Sequence, residues 1–371
     1  MTDQPNTETG RISRRGLLGA SAAAGASALA TPAVAQEQAT LEWKMVTSWP
    51  KNLPGPGVTA QRIADRIELM SGGRLRVRLY AAGELVPALG VFEAVSAGTA
   101  QMAHTASFFW QGKIPASVYF TAIPFGLLPH EHITWIEQGG GQALWDELYA
   151  PFNIKPVMAG NTGVQMGGWF KRDINSLEDL KGLKIRMPGL GGEVMRRLGA
   201  TPVSLPPGEL FQALQSGVID ATEFLGPWSD RAMGFQKVTK NYYAPGFHEP
   251  NGTGEALLSK TALDGLPEDL QAIVLEACKA ENGRALAESE WENAANLITL
   301  QEQDGVIVKF YPDDVLDALR TTSAEVLDEF AARDPLSGKI YESYKAALAQ
   351  LAPWSNVSIR RFLSARDGEE A

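Results

Sequence analysis

Short apolar segments alternate with amphipathic ones along the chain, a pattern typical of mixed α/β proteins. Residues 41–48 predict a buried strand, residues 59–70 have the apolar spacing of a helix, and residues 74–80 alternate as a strand. A much longer helix is predicted over residues 266–303. Its apolar side is expected to consist of Leu270, Ile273, Val274, Ala277, Leu286, Trp291, Ala294 and Leu297.

One helix pattern occurs twice, with copies that begin 119 residues apart. Residues 92–98 (FEAVSAG) precede a strand candidate at 101–105, and residues 211–217 (FQALQSG) precede one at 219–223. Phe, Ala and Gly coincide in the two copies, and similar residues fill several other positions. The repeat predicts two similar α/β lobes built from β-α-β steps. Two lobes also suit a chain of 371 residues, which is long for one hydrophobic core.

The order of these elements predicts how the chain divides between the lobes. Residues 36–160 and about 251–300 are expected to form lobe 1, and residues 161–250 with part of 300–335 lobe 2. No low-complexity linker separates them, so we expect several crossings and a long helix that braces both lobes. Residues 336–371 predict C-terminal helices.

A twin arginine, Arg14-Arg15, lies near the start of the chain, ahead of an Ala- and Gly-rich run that ends in a small-residue cleavage motif at 33–35. The apolar part, residues 16–29, is shorter than the roughly 20 residues that a membrane span needs. Residues 1–35 are therefore predicted to be a twin-arginine signal peptide, which predicts export to the periplasm.

Charge and cysteine content exclude several classes of protein. The formal net charge is −10, which argues against nucleic acid or an anionic membrane surface as a partner. No other stretch predicts membrane insertion. Cys278 is the only cysteine, so neither an internal disulfide nor a cysteine-based metal site is expected. The motifs of α/β hydrolases, zinc proteases and P-loop enzymes are missing, which leaves an exported α/β enzyme as the less favoured rival of a binding protein.

Several segments together resemble the solute-binding subunits of TRAP (tripartite ATP-independent periplasmic) transporters, in the branch that binds 2-oxo acids and related monocarboxylates. The resemblance rests on Glu223 and on residues 45–50, 73–80, 104–110, 175–186 and 215–221. It implies a periplasmic binding protein-like fold, in which two α/β lobes joined by a hinge and a long helix close on the ligand. It also implies a small organic acid as ligand, TRAP membrane subunits as partners, no enzymatic activity and a possible homodimer through the C-terminal helices.

Arg186 ends the predicted strand Lys184-Ile185-Arg186, where ligand clefts form in α/β proteins. A guanidinium can hold a carboxylate through two parallel hydrogen bonds. Position alone leaves a surface salt bridge as an alternative, whereas the resemblance implies that Arg186 binds the substrate carboxylate.

The resemblance also implies a cation that bridges protein and substrate. Its ligands would be Gln165, Glu223 and Glu249, with the backbone carbonyl of Phe224, and Gln165 and Glu223 would also adjoin the substrate. Two carboxylates in a cleft would repel an anion unless a cation neutralised them, and oxygen ligands suit sodium or, alternatively, calcium. Without the resemblance, two solvated surface glutamates would be the simpler interpretation.

Trp49, Phe108, Phe109 and Trp110 follow strand candidates, and the resemblance implies that they surround the carbon chain of the ligand. Packing in the core is the equally good alternative. His130-Glu131-His132 has the composition of a metal pair, but a helix N-terminus explains it better. Dicarboxylates, lactate, sugar acids and a chemoreceptor role stay open.

Overall fold

A computed structural model describes residues 1–2 and 40–368 of the chain. The predicted signal peptide, from residue 3 onwards, lies outside the described residues. Within the described part, no helix has both the length and the apolar character that a membrane crossing requires.

Residues 40–368 form two sheets surrounded by helices. The strands are β1 (Leu41–Thr47), β2 (Leu75–Tyr80), β3 (Met102–Thr105), β4 (Ile154–Asn161), β5 (Gly168–Phe170), β6 (Lys184–Arg186), β7 (Thr201–Val203), β8 (Ala221–Thr222), β9 (Asn241–Ala244), β10 (Thr253–Ser259) and β11 (Ile307–Phe310). The helices are α1 (Pro56–Met70), α2 (Val91–Ser96), α3 (Pro129–Gln138), α4 (Gly141–Tyr149), α5 (Gly189–Arg197), α6 (Leu210–Ser216), α7 (Pro227–Met233), α8 (Lys260–Asp264), α9 (Glu268–Glu302), α10 (Asp313–Ala331), α11 (Pro335–Ser355) and α12 (Arg361–Asp367).

The two sheets share one topology at their core. The strand orders are β2-β1-β3-β10-β4 and β11-β9-β5-β8-β6-β7. In the first sheet β1 pairs in parallel with β2 and β3, and in the second β6 pairs in parallel with β7 and β8. An antiparallel strand, β10 or β5, follows in each. The two copies of the repeated helix, α2 and α6, precede β3 and β8, so the predicted two-lobe α/β fold is confirmed.

The chain passes between the sheets three times: from β4 to β5, from β9 to β10, and through α9 to β11. These passages place the loops at 161–167 and 245–252 between the lobes. The residue boundaries predicted for the lobes stay a prediction, since the sheets share these connecting segments.

Apolar periodicity explains how α1 docks on the first sheet. Pro56 at the first turn suits a helix start, and buried Ala60, Ile63, Ala64 and Ile67 repeat at helical spacing. They pack in a cluster with side chains from β1, β2 and the first half of α9. This layer holds the carboxyl ends of β1 and β3 in place.

The apolar side predicted for α9 is wrong in the second half of the helix. Leu270, Val274 and Ala277 are buried, but Trp291 is 77% exposed and Ala294 is also exposed. Past the first sheet most buried positions are polar (Glu281, Asn282 and Ser289, against Ala285 and Leu300), and ion pairs and amide contacts help to hold α9 there. Glu281 contacts Arg62 of α1 at 2.5 Å.

The first half of helix α11 packs against the rest of the protein, and its second half is more exposed. Ile340, Tyr341 and Tyr344 are buried, and the Tyr344 hydroxyl accepts a hydrogen bond from the Leu127 amide (2.7 Å). From Trp354 onward the chain continues through a π-helical turn into α12 with large apolar side chains in solvent. They are Trp354, Val357, Ile359, Phe362 and Leu363.

Candidate functional site

One cavity lies where the carboxyl ends of the parallel strands of both sheets meet. Trp49 follows β1, Phe108 and Phe109 follow β3, Arg186 ends β6 and Phe224 follows β8. All five line the cavity, as do Gln165 and Glu249 from the segments between the lobes. Ligand clefts form at this edge of parallel sheets because the strand-to-helix loops diverge there. The cavity has a volume of about 40 Å³.

Arg186 is buried, and most of its donors are already engaged. Its Nη1 donates to a carboxylate oxygen and to the main-chain oxygen of Glu223 (3.1 Å for the latter), and Nε donates to the Leu205 carbonyl (3.3 Å). Nη2 donates to no other residue within 40–368. The sequence suggests two parallel hydrogen bonds from a free guanidinium to the ligand. In the structure, an anion must instead compete with Glu223 or bind chiefly through Nη2.

Glu223 lies behind Arg186 and is completely buried. Its second carboxylate oxygen accepts a hydrogen bond from Nε2–H of His248 (3.2 Å). Glu223, His248 and Glu249 each present a ligand atom within 4.8 Å of the others. Burial, and then the charge of Glu223, raise the pKa of the Glu249 carboxyl well above its usual range, while Arg186 and Gln165 act against this rise. Two buried carboxyl groups thus share one guanidinium, so without a further positive charge Glu249 favours its protonated form.

Gln165 supplies the strongest sign that a cation fits here. Its Nε2 donates to Thr162 Oγ1 (3.0 Å), while its Oε1 is buried without a partner within residues 40–368. An orphaned amide oxygen costs about 1–3 kcal/mol unless something satisfies it. Together with Glu223 and Glu249 it forms an oxygen-rich donor set, which is the kind that sodium and calcium prefer. The residues present therefore fit such an ion.

Phe224 also lines the cavity, and its carbonyl is unpaired within the described residues. Among residues 40–368 it accepts no hydrogen bond, whereas the carbonyls of Glu223 and Leu225 on either side do. The four groups suggested as cation ligands therefore lie together, and each has an unpaired or negatively charged oxygen.

Trp49 is held in place by a hydrogen bond to His104. The indole Nε1–H donates to Nδ1 of His104 (2.8 Å), and Nε2–H of His104 donates to the Ala159 carbonyl (3.0 Å). Burial lowers the pKa of His104 to about 4, so the ring is neutral and this tautomer is locked. His104 lines the cavity itself and lies in β3, the strand that Phe108 follows.

The aromatic side chains divide between the cavity and the core. Trp49, Phe108 and Phe109 lie at the cavity, with ring centroids 6.1 Å apart for Trp49 and Phe109 and 4.8 Å apart for Phe108 and Phe109. Trp110 turns away into the core, where its Nε1–H donates to Glu255 (2.7 Å). Both interpretations that the sequence allowed are therefore realised, at different residues.

The His130-Glu131-His132 segment begins helix α3, as predicted. The Glu131 carboxylate accepts a hydrogen bond from the Leu128 amide (2.9 Å), and buried His132 bonds to Tyr119 and Thr253. Neither histidine reaches the cavity.

Known proteins agree with this architecture. A family model described as DctP, bacterial extracellular solute-binding protein, family 7, matches residues 46–334. A monocarboxylate 2-oxoacid-binding periplasmic protein of Nostoc sp. is 41% identical over 318 residues, which cover 86% of this chain and 87% of that protein.

Solved structures of TRAP periplasmic solute-binding proteins also superpose on this chain. One from Colwellia psychrerythraea holds calcium and pyruvate, and one from Pseudoalteromonas atlantica holds sodium and pyruvate. Each is 39% identical, has a TM-score of 0.85 and covers 88% of this chain and 99% of its own. With a family match over residues 46–334 and these relatives, the chain belongs to family 7 of the bacterial extracellular solute-binding proteins, the DctP family.

Proposed function

We propose that this protein is the periplasmic solute-binding subunit of a TRAP transporter, and that it captures a small 2-oxo acid such as pyruvate together with a cation. The observation that carries the proposal is the donor set of Gln165, Glu223, Phe224 and Glu249 beside Arg186 in a small buried cavity. Relatives with pyruvate bound support the choice of ligand.

Charge and size favour a short monocarboxylate over a larger acid. A cavity of about 40 Å³ suits a ligand of a few heavy atoms better than a sugar acid. Arg186 would bind the carboxylate through Nη2, and the rings of Trp49, Phe108 and Phe109 would enclose the carbon chain. Another carboxylate, such as a dicarboxylate, lactate or a sugar acid, is the alternative.

The cation would be held by Gln165, Glu223, Glu249 and the Phe224 carbonyl. It would supply the positive charge that lets two buried carboxylates and an anionic ligand occupy one cleft. Sodium is proposed, with calcium as the alternative. Arg186, Glu223 and Glu249 carry a net formal charge of −1, so a divalent ion and a monocarboxylate together would leave the site neutral.

Binding without turnover is part of the proposal, and the match to a family of solute-binding proteins supports it. Delivery of the ligand to TRAP membrane subunits is the proposed task, after export through the twin-arginine pathway signalled by Arg14-Arg15. The exposed apolar side chains beyond Trp354 support a homodimer through the C-terminal helices.

Native mass spectrometry of the purified protein tests the proposal. We expect a bound mass equal to a small organic acid plus one cation, and exchange of that acid for added pyruvate without chemical change. Conversion of pyruvate to a product, or binding of a sugar acid in preference to pyruvate, would overturn it.

A further inference from the structure

Asp230 is a completely buried carboxylate that lies outside the cavity and touches none of the proposed ligands directly. Its Oδ2 accepts hydrogen bonds from Trp169 Nε1 (2.9 Å) and the Tyr242 hydroxyl (2.8 Å). Its Oδ1 accepts a hydrogen bond from the backbone amide of Leu225 (3.0 Å). A buried carboxylate is costly, so three converging donors suggest a specific task.

The position of Leu225 defines that task. In a trans peptide the N–H of one residue and the C=O of the preceding residue point in opposite directions in one plane. The Leu225 amide points at Asp230, so the Phe224 carbonyl points away from Asp230. Within the described residues this carbonyl has no donor, while its neighbours at Glu223 and Leu225 do.

The rest of the donor set is tied to the same residue, Leu225, through its carbonyl. The Leu225 carbonyl accepts a hydrogen bond from the Met166 amide (3.1 Å), and the Gln165 amide donates to the Glu249 carbonyl (3.3 Å). Fixing the position of Leu225 therefore also helps to fix the segments that carry Gln165 and Glu249.

Asp230 is itself anchored to the second sheet. Trp169 of β5 and Tyr242 of β9 are directly paired across the two strands, and their rings stack with centroids 4.1 Å apart. The carboxylate thus links a rigid sheet to one peptide plane.

We propose that Asp230 is a positioning residue for the cation site, because it fixes the Phe224–Leu225 peptide with the Phe224 carbonyl facing the ion. The inference rests on the proposed function. Residues that orient metal ligands typically contribute 10- to 100-fold in ion affinity when they are removed.

Two matched double variants test the proposal. Trp169→Phe/Asp230→Asn removes the indole donor, so the amide oxygen can accept from Leu225 while the amide nitrogen faces the Tyr242 oxygen. Trp169→Phe/Asp230→Ala has the same ring change but no acceptor for Leu225. Calcium binding is measured by calorimetry without organic acid, and the sodium concentration that half-restores pyruvate binding is measured separately.

We expect the Asp230→Ala double variant to bind calcium about 10- to 100-fold more weakly than the Asp230→Asn double variant. Tyr242→Phe, which keeps the Leu225 contact, should bind the ion as the unmodified protein does even though it loses stability. A drop in ion affinity for Tyr242→Phe that follows its melting temperature would show a merely structural role and overturn the inference.

The two double variants are compared only if circular dichroism shows that both are folded. If they are not, the ion affinity of Tyr242→Phe decides the test. An unmodified protein that binds pyruvate but neither ion refutes the cation in the proposed function. Equal ion affinity in the two double variants refutes the role of Asp230 and leaves the proposed function standing.

Discussion

Arg186 and Glu223 form an ion pair in which both side chains are almost completely buried. Arg186 ends β6 and Glu223 follows the neighbouring parallel strand β8, in which Thr222 lies opposite Arg186. Because Arg186 lines the cavity and Glu223 lies behind it, we expect a change at either residue to alter both ligand binding and the stability of the second sheet.

Replacing Arg186 should therefore have two effects. Arg186→Ala leaves Glu223 buried without its charged partner, so we expect a loss of about 3–5 kcal/mol in unfolding free energy. Pyruvate affinity should fall at least about 30-fold. Arg186→Lys keeps the charge but not the planar fork, so it should lose less stability and still bind pyruvate weakly. Calorimetry measures the pyruvate affinity, and thermal melts measure the stability. If Arg186→Lys binds pyruvate about as tightly as the unmodified protein, the planar guanidinium is not needed for binding.

Trp49 lines the ligand cavity and also a second cavity bordered by Lys51, Gln61 and Glu84. We predict that Trp49→Ala weakens pyruvate binding and raises the affinity for 2-oxo acids with longer chains relative to pyruvate, because the two spaces then join. Competition titrations with 2-oxo acids of increasing length measure the ratio. Trp49→Phe is the control, because it loses the hydrogen bond to His104 but keeps a large ring. An unchanged chain-length preference in Trp49→Ala would argue against this role.

Glu255 gives a pH dependence of stability that is separate from ligand binding. Burial raises its pKa to about 8, against the hydrogen bonds from Trp110 and Tyr149. The folded state then holds a proton that the unfolded state releases near its ordinary pKa, so stability falls as pH rises from about 5 to about 8. Glu255→Gln can donate to the Tyr149 oxygen and accept from Trp110, and it does not ionise.

Urea unfolding at several pH values tests this statement. The stability of Glu255→Gln relative to the unmodified protein should increase with pH over that window, by up to about 1.4 kcal/mol per pH unit. A constant difference from pH 5 to pH 8 would show that Glu255 ionises normally in the folded protein.

The C-terminal helix offers a test of assembly. Tyr341 and Tyr344 are buried, so only the part after Ser355 can be removed without opening the core. Light scattering of the full protein should give a dimer, and a chain ending at Ser355 should give a monomer. Phe362→Glu is the milder variant, with Ser364→Glu as a charge-matched control. A full-length monomer would contradict the proposed dimer.

The sequence predicts more of the fold than of the site. The repeated helix before β3 and β8 revealed both lobes, because each copy needs the same β-α-β packing. The apolar spacing wrongly placed Trp291 on the buried side of α9. The helix leaves the core of the first sheet before this residue, so the spacing no longer indicates burial there.

Long-range pairs were beyond the sequence alone. The contact between Arg186 and Glu223 depends on the register of β6 and β8, and that between Trp49 and His104 on the pairing of β1 with β3. Gln165 and Glu249 could be placed together only through the resemblance, because no local pattern joins residues so far apart in the chain. Asp230 gave no signal, since its importance comes from one peptide plane.

The central claim is that the cation and the organic acid bind as one unit, and reciprocal linkage tests it most directly. Pyruvate is titrated calorimetrically after chelation and exchange into sodium-free buffer, and then again with sodium or calcium restored. We predict that binding is strongly weakened in the stripped protein, is restored by one of the two ions, and that Glu223→Gln lowers the affinity for ion and acid together. Equal pyruvate affinity in every buffer would contradict the account and leave Arg186 as the sole charged anchor.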